Sequence, residues 1–379
     1  MLNYFEPTPT LTCFSFILYF YIVLANWKLV QKKSFIQHKS NKIISSIFFI
    51  VLLFAMIPFF SGDFYHYIEW VENANVQWVI NPLSHIEVAY QYISSFVNGA
   101  YFPFRFIVWG GEIFLICITA KRLNINISLT LYLVLLLFPV LYSYARASLA
   151  MSIYFYGLSY IIKPVHNRLL SYFLGILIII ICPFFHRSMY LLIAISPIVI
   201  LPLFYSLRST WKLLIYIIGI IAIVYAFSKI LLYLDLVEIL GDEKLQHKLE
   251  SYSQVEVIEK GLAGKIKTMF ELIFRWVSLF LFYKYCLRYV RKKNTLIEIL
   301  FVVSITISLI GLTLSYCGDE FHTLSYRIAA MYFIPFSLMI AYSYQYNMLR
   351  SIQMKRICYL AVAYNFYYLS YSVYLSIVK

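Results

Sequence analysis

Arginines stand at the ends of several long apolar segments, where their type and spacing could bind an anion. Arg146 lies in YSYARASLAMSIY, Arg327 in LSYRIAAMYF, Arg275 in another apolar segment, and His186 and Arg187 in the break CPFFHRSMY. An ionisable group at membrane depth costs about 2.5 kcal/mol or more, so it usually marks a functional site or has a partner. Guanidinium groups bind phosphate oxygens bidentately. The arrangement therefore predicts a site for a phosphorylated ligand.

Acidic and aromatic side chains crowd the segments on the same predicted side of the membrane. SGDFYHYIEW, residues 61–70, contains Asp63 and Tyr67, and HIEVAYQYI contains Glu87 and Tyr90. A carboxylate can orient a hydroxyl or accept its proton. Aromatic rings stack on the C–H faces of sugars. Together with the arginines, these residues favour a ligand that joins a phosphate to a sugar.

Several of these residues also have a simpler structural interpretation. Arg275 lies four residues after Glu271 and could pair with it within one helix. Arg105 could anchor its helix at the interface or pair with Glu112. A single arginine at a helix end often only anchors that helix at the membrane surface. These alternatives stay open at this point.

The elements that must position these residues are hydrophobic helices. The chain has 379 residues, of which 62% are hydrophobic and 13% charged, whereas a soluble domain is about 25% charged. Apolar runs of about 20 residues, the length that crosses a bilayer, recur along the chain. They predict about twelve membrane-spanning helices, at 11–30, 43–60, 102–120, 127–144, 146–163, 169–186, 188–205, 211–233, 270–287, 295–316, 325–346 and 357–377.

The basic residues predict how these helices are oriented. They gather at alternate helix ends, at 28–42, 121–122, 163–168, 208–212, 284–293 and 350–356. By the positive-inside rule this face is cytoplasmic, and the net charge of +14 reflects loop asymmetry rather than nucleic-acid binding. The opposite face has two longer loops, at about 61–101 and 234–269. The six cysteines have neither the spacing of a disulfide framework nor that of a metal site.

Five stretches, in this order, resemble the EpsG-like/Wzy group of bacterial polysaccharide polymerases. They are GDFYHY (62–67), HIEVAYQYI (85–93), YARASLAMSIYFYGLSYI (144–161), FFHRSMYLLIAISPI (184–198) and SYRIAAMYFIPFSLMIA (325–341). The resemblance covers nearly the whole chain. It departs from the group where Ala-Ser follows Arg146 in place of Gln-Ser, and where no proline follows the Glu87 segment.

The resemblance implies an all-α integral membrane protein with a GT-C-like fold, as one polytopic domain over residues 1–379. It implies a multi-pass enzyme of the bacterial inner membrane, with the active site and the two longer loops facing the periplasm. Such an enzyme transfers an undecaprenyl-diphosphate-linked glycan chain onto a lipid-linked repeat unit, with no cofactor or metal. The implied partners are this lipid-linked oligosaccharide, membrane lipid, and a chain-length regulator and a flippase of the same pathway.

The resemblance also implies roles for individual residues, which fall into three groups. Catalysis falls to His186, Asp63 and Glu87, with Asp319 as a further candidate for the base, and the sequence does not decide among them. The remaining residues bind the diphosphate (Arg146, Arg327, Arg187 and Arg275) or the glycan (Tyr67, Tyr90, Tyr252 and Asp319).

Two other functions fit the same composition. A GT-C glycosyltransferase that uses a polyprenyl-monophosphate sugar also places an acid in its first outer loop. A lipid-linked oligosaccharide flippase would have a similar number of spans and central basic residues. A flippase opens to both sides of the membrane, however, and the charges here favour one side.

Overall fold

Helices are the only regular elements in the residues that the structure describes. This structure is a computed structural model, and it describes residues 8–30, 40–57, 68, 71, 87–165, 167–200, 209–233, 262–287, 295–317, 325 and 328–378. In chain order the helices are α1 (Pro9–Val30), α2 (Ser40–Met56), α3 (Val88–Phe96), α4 (Tyr101–Arg122), α5 (Ile127–Leu136), α6 (Phe138–Ser143), α7 (Ala145–Ile162), α8 (Arg168–Ile181), α9 (Met189–Val199), α10 (Thr210–Tyr233), α11 (Leu262–Tyr285), α12 (Thr295–Leu314), α13 (Phe333–Gln345) and α14 (Ser351–Val378). A short 3-10 helix, Cys182–Phe184, lies between α8 and α9.

Most helices fall on predicted apolar runs, which confirms an all-helical membrane protein, whereas α3 lies in the predicted loop 61–101 and the predicted helix 127–144 is divided into α5 and α6. Among the described residues, four helices are long and apolar enough to cross a membrane: Pro9–Trp27, Tyr101–Arg122, Thr210–Lys229 and Thr295–Leu314. Shorter apolar helices cover Asn41–Met56, Ile127–Leu136, Arg168–Phe184 and Met189–Val199. The number of about twelve spans and the GT-C-like arrangement stay predictions.

The chain divides into two compact units, whose boundaries fall within α9 and within α13. The first unit comprises residues 1–194 and 337–379, and the second comprises residues 195–336. In the first unit, α7 packs against α4 and α8, α4 also packs against α2 and α5, and α1 packs against α14. In the second unit, α12 packs against α10 and α11. The single polytopic domain stays a prediction.

A break between α5 and α6 is stabilised by side chains from the two ends of the chain. Pro139 has no amide hydrogen, so the carbonyl of Leu135 loses its helical donor. The Tyr19 hydroxyl of α1 lies 3.0 Å from this carbonyl and 2.9 Å from that of Leu136. The side-chain amide of Asn365, in α14, also donates to the Leu136 carbonyl. Because an unsatisfied carbonyl is costly inside a bilayer, these bonds allow the helix to be interrupted there.

We expect Tyr19→Phe to destabilise the protein, because it removes the hydroxyl but keeps the ring. A buried carbonyl without its partner costs about 1–3 kcal/mol, which denaturation in detergent would detect. Tyr21→Phe is the matched control, since Tyr21 lies on the same helix with 69% of its surface exposed. Equal stability of the two variants would contradict the role of Tyr19.

Helices α7 and α8 approach closely at two glycines. A Cβ on Gly157 would lie 2.8 Å from the carbonyl oxygen of Gly175, and a Cβ on Gly175 would lie 2.8 Å from that of Gly157. The face of α8 at this contact consists of Ser171, Gly175 and Ile179, which are spaced one turn apart and buried. The small residues let α8 fix the position of α7, which carries Arg146.

Gly175→Ala should destabilise the protein, since the added methyl group collides with the backbone of α7. Overpacking of this kind costs about 1–3 kcal/mol. Gly110→Ala provides the control within α4, because a Cβ there meets nothing within 4 Å and alanine favours a helix over glycine by about 1 kcal/mol. Thermal unfolding should therefore shift in opposite directions in the two variants, and a shift in the same direction would contradict the close contact.

Arg105 lies in an aromatic cluster of the first unit. Its guanidinium carbon is 5.3 Å from the ring centre of Tyr101, 5.1 Å from that of Trp109 and 5.4 Å from that of Tyr142. Its Nε donates to the Tyr101 hydroxyl at 3.0 Å. Glu112 is also buried, but its two carboxyl oxygens have no hydrogen-bond partner among the described residues. Arg105 is therefore held by π faces, and the alternative pairing with Glu112 is not formed.

Candidate functional site

Helix α3 positions Glu87 as the residue just before its first turn. Glu87 is extended, and its carbonyl accepts hydrogen bonds from the amides of Tyr90 and Gln91 at 3.0 and 3.3 Å. Its side chain makes no capping bond and extends elsewhere. Beyond the end of α3, Asn98 and Gly99 have positive φ angles of 51° and 70°, a backbone conformation that glycine and asparagine adopt most readily. This turn leads the chain directly into α4.

The carboxylate of Glu87 forms a salt bridge with Arg146, at the start of α7. Arg146 Nη1 donates to Glu87 Oε2 at 2.8 Å, although the residues are 59 positions apart. The side chains are only 15% and 7% exposed. Removing one partner of a buried pair leaves the other charge uncompensated. The pair therefore joins the start of α3 to the start of α7.

Tyr90 strengthens this junction from within α3. Its hydroxyl donates to the backbone carbonyl of Arg146 at 3.2 Å. Its ring is fully buried, 6.1 Å from the rings of both Phe104 and Phe185 and edge-on to Phe185. The family resemblance implies that Tyr90 contacts the glycan. These contacts support a role in positioning Arg146, and glycan contact stays a prediction.

His186 approaches the same salt bridge from the turn between α8 and α9. The residue is 5% exposed, and its electrostatic influence reaches the Glu87 carboxyl. Its amide donates to the Cys182 carbonyl at 3.1 Å, and its own carbonyl accepts from the Met189 amide at 3.0 Å. The turn thus fixes the backbone of His186 on both sides, next to a buried cation–anion pair.

The environment of Glu87 favours its ionised form. Burial is the largest influence and by itself raises the pKa of the carboxyl, but the charges of Arg146 and His186 and the hydrogen bonds to the carboxylate outweigh it. The pKa of Glu87 is therefore lowered from its ordinary value. At neutral pH this group is a carboxylate with little tendency to take up a proton.

The remaining predicted site residues have different outcomes. Arg187, next to His186, is exposed. Arg275 lies in the second unit, where its Nη2 is 3.4 Å from Glu271 Oε1 of the same helix, and both side chains are buried. Arg275 therefore pairs with Glu271 within one helix, which is the simpler structural interpretation of this arginine. Diphosphate binding by Arg275 stays a prediction. Five predicted residues lie outside the described residues: Asp63, Tyr67, Tyr252, Asp319 and Arg327.

Two neighbours of His186, Ser188 and Phe185, complete the described site, and neither is among the residues predicted from the sequence. Ser188 Oγ is 2.5 Å from His186 Nδ1, and Phe185 packs against Tyr90. The His-x-Ser spacing just before a helix is the sequence pattern that could have pointed to Ser188. Among the described residues, no three His, Cys, Asp or Glu side chains form a group that could hold a metal ion.

The fold and the site define a class: a helical membrane protein with a buried Glu–Arg pair beside a histidine. The model of the EpsG family matches residues 42–378 of the chain, which is therefore a member of the EpsG family. No curated protein and no solved structure matches it. Membership indicates a glycosyltransferase-like polymerase of exopolysaccharide or O-antigen type that acts on a lipid-linked polysaccharide.

The Glu87–Arg146 pair gives a quantitative prediction for stability. Glu87→Gln and Arg146→Gln should each cost about 2–4 kcal/mol, since each leaves a buried charge without its partner. The double variant should lose less than the sum of the two, by about 1–3 kcal/mol. Denaturation of the purified protein in detergent measures this coupling.

An exposed basic residue supplies the control for that cycle. Arg350→Gln, at an exposed position before α14, should change stability by no more than about 0.5 kcal/mol. Strict additivity of Glu87→Gln and Arg146→Gln would contradict the pairing seen in the structure.

Proposed function

We propose that this chain polymerises polysaccharide at the periplasmic face of the bacterial inner membrane. It transfers an undecaprenyl-diphosphate-linked glycan chain onto a lipid-linked repeat unit and releases undecaprenyl diphosphate. Family membership supports the reaction class. The observation that carries the proposal at residue level is the convergence of Glu87, Arg146 and His186 from three separate segments.

The leaving diphosphate requires stabilisation of its growing negative charge. A guanidinium provides this in a buried site, where electrostatic interactions are stronger than in water. We assign this role to Arg146 and Arg327, with Arg187 and Arg275 as further diphosphate contacts. The five N–H groups of a guanidinium let Arg146 contact Glu87 and a phosphate oxygen at the same time. Metal-independent catalysis is part of this proposal.

The acceptor hydroxyl must lose a proton as it attacks. Glu87 is a weak base, because its pKa is lowered and it is paired with Arg146. An imidazole has an ordinary pKa of about 6.5, close to the pH at which a general base works best. We therefore assign the proton to His186 and give Glu87 the task of holding Arg146 and stabilising the imidazolium. In this scheme Asp63 orients the acceptor sugar.

The remaining predicted residues complete the proposal for the glycan. Tyr67, Tyr252 and Asp319 belong to segments predicted to face the periplasm, where they would contact the sugars. Tyr90 supports the site by holding the backbone of Arg146. A chain-length regulator and a flippase of the same pathway are the proposed partners.

Arg146→Ala and Arg327→Ala should abolish long chains while single repeat units persist. Removing one charge-stabilising donor typically costs about 10²–10³-fold in rate, enough to eliminate a ladder that needs many transfers. The measurement is the length ladder of the surface polysaccharide in cells that lack the gene and carry each variant. Arg350→Ala, at an exposed position, should keep a normal ladder at equal protein abundance.

The same strains separate the two alternative functions. A polyprenyl-monophosphate-sugar transferase would leave the repeat unit truncated by one sugar. A flippase would strand complete units on the cytoplasmic leaflet, where accessibility labelling would find them. Normal ladders from both arginine variants would overturn the assigned diphosphate site.

A further inference from the structure

The turn that carries His186 also carries a serine whose hydroxyl contacts the imidazole ring. His186 Nδ1 and Ser188 Oγ are 2.5 Å apart, and the ring is almost completely enclosed by protein. The backbone hydrogen bonds of this turn already fix the residue, so the contact with Ser188 acts on the ring itself. Either Nδ1–H donates to the hydroxyl or the hydroxyl donates to a bare Nδ1, so the contact is linked to which nitrogen bears the proton.

The position of Ser188 makes this contact unusual. The residue directly precedes α9, where a serine hydroxyl normally accepts a hydrogen bond from an amide two or three residues later. Here the amide of Leu191 bonds instead to the Ser188 carbonyl oxygen at 3.2 Å. The Ser188 hydroxyl is bonded to the imidazole ring. The hydroxyl at this helix start therefore contacts the histidine directly.

A neutral partner on Nδ1 suits the charges already present. The Glu87 carboxylate interacts electrostatically with His186, and Arg146 balances the negative charge of Glu87 through the salt bridge. A second carboxylate on Nδ1 would add another buried charge, whereas a hydroxyl accepts a hydrogen bond without adding one. Ser188 can therefore set the tautomer of His186 without disturbing the salt bridge beside it.

We propose that Ser188 is a positioning residue for His186. Its Oγ accepts a hydrogen bond from Nδ1–H, which makes Nε2 the nitrogen that takes up a proton. The catalytic part of this inference rests on the proposed function. In that step the acceptor oxygen bonds to the anomeric carbon, and the bond from that carbon to the diphosphate oxygen breaks with its electron pair. The hydroxyl proton moves to Nε2 and leaves to water.

The tautomer can be measured without any activity. The full-length protein, labelled with ¹⁵N-histidine and held in lipid bilayers, is studied by solid-state NMR, which distinguishes the two neutral tautomers. The chain has seven histidines, and the His186 signal is identified by its loss in His186→Gln. We expect the Nδ1–H tautomer in the wild type and in Ser188→Thr, which keeps the hydroxyl. We expect a mixture in Ser188→Ala and Ser188→Gly.

The kinetics of the same variants test the catalytic consequence. A general base contributes about 10²–10⁴-fold to rate, so partial loss of its orientation should lower kcat by about tenfold with KM unchanged. Ser188→Thr should restore kcat. Ser188→Gly guards against a folding defect, because glycine is tolerated before a helix. Ser370→Ala, at an exposed position on α14, serves as the control with unchanged tautomer and rate.

The two measurements separate failure of the inference from failure of the proposed function. An unchanged tautomer in Ser188→Ala, or an Nε2–H tautomer in the wild type, would overturn the positioning role whatever the protein catalyses. A changed tautomer with unchanged kcat would overturn the catalytic consequence and remove His186 as the base. A changed tautomer with a lower kcat supports both.

Discussion

The salt bridge between Glu87 and Arg146 is the interaction on which the described site depends. It ties the short helix α3 to the start of α7 at a depth where neither charge is well solvated. Such a pair is stable only when hydrogen bonds and neighbouring charges support it. Tyr90 bonds to the Arg146 backbone, and His186 acts electrostatically on the Glu87 carboxyl. The charged pair thus explains why three separate segments meet at one point.

Contacts within the first unit support α7 and the segment that precedes it. Gly157 and Gly175 let α8 lie close to α7, and the Tyr19 hydroxyl stabilises the break that precedes α6. Both devices lie within the apolar part of the chain, away from the charged residues. The short helix α6 ends at Ser143 and α7 begins at Ala145, so Arg146 falls in the first turn of α7. Rigid packing of apolar segments therefore positions a polar site.

The sequence predicts the helices well and the site only in part. Apolar runs mark the helices because each must match the thickness of a bilayer, and the described helices fall on those runs. The sequence predicts a loop where α3 forms, because nine residues of mixed polarity carry little helical signal. The contact of Glu87 with Arg146 spans 59 positions, and one sequence holds no record of which distant residues touch. The aromatic packing of Arg105 could not be predicted for the same reason.

In the proposed reaction the buried pair links charge stabilisation to proton transfer. Glu87 interacts with both Arg146 and His186, so a phosphate that draws the guanidinium toward itself weakens the hold of Arg146 on Glu87. The carboxylate then has more of its field available to stabilise an imidazolium, at the stage when the acceptor hydroxyl gives up its proton. A carboxylate with a lowered pKa suits this task better than a base would, because it takes up a proton less readily than an ordinary glutamate. Binding of the lipid diphosphate would in this way prepare the histidine for the step that follows.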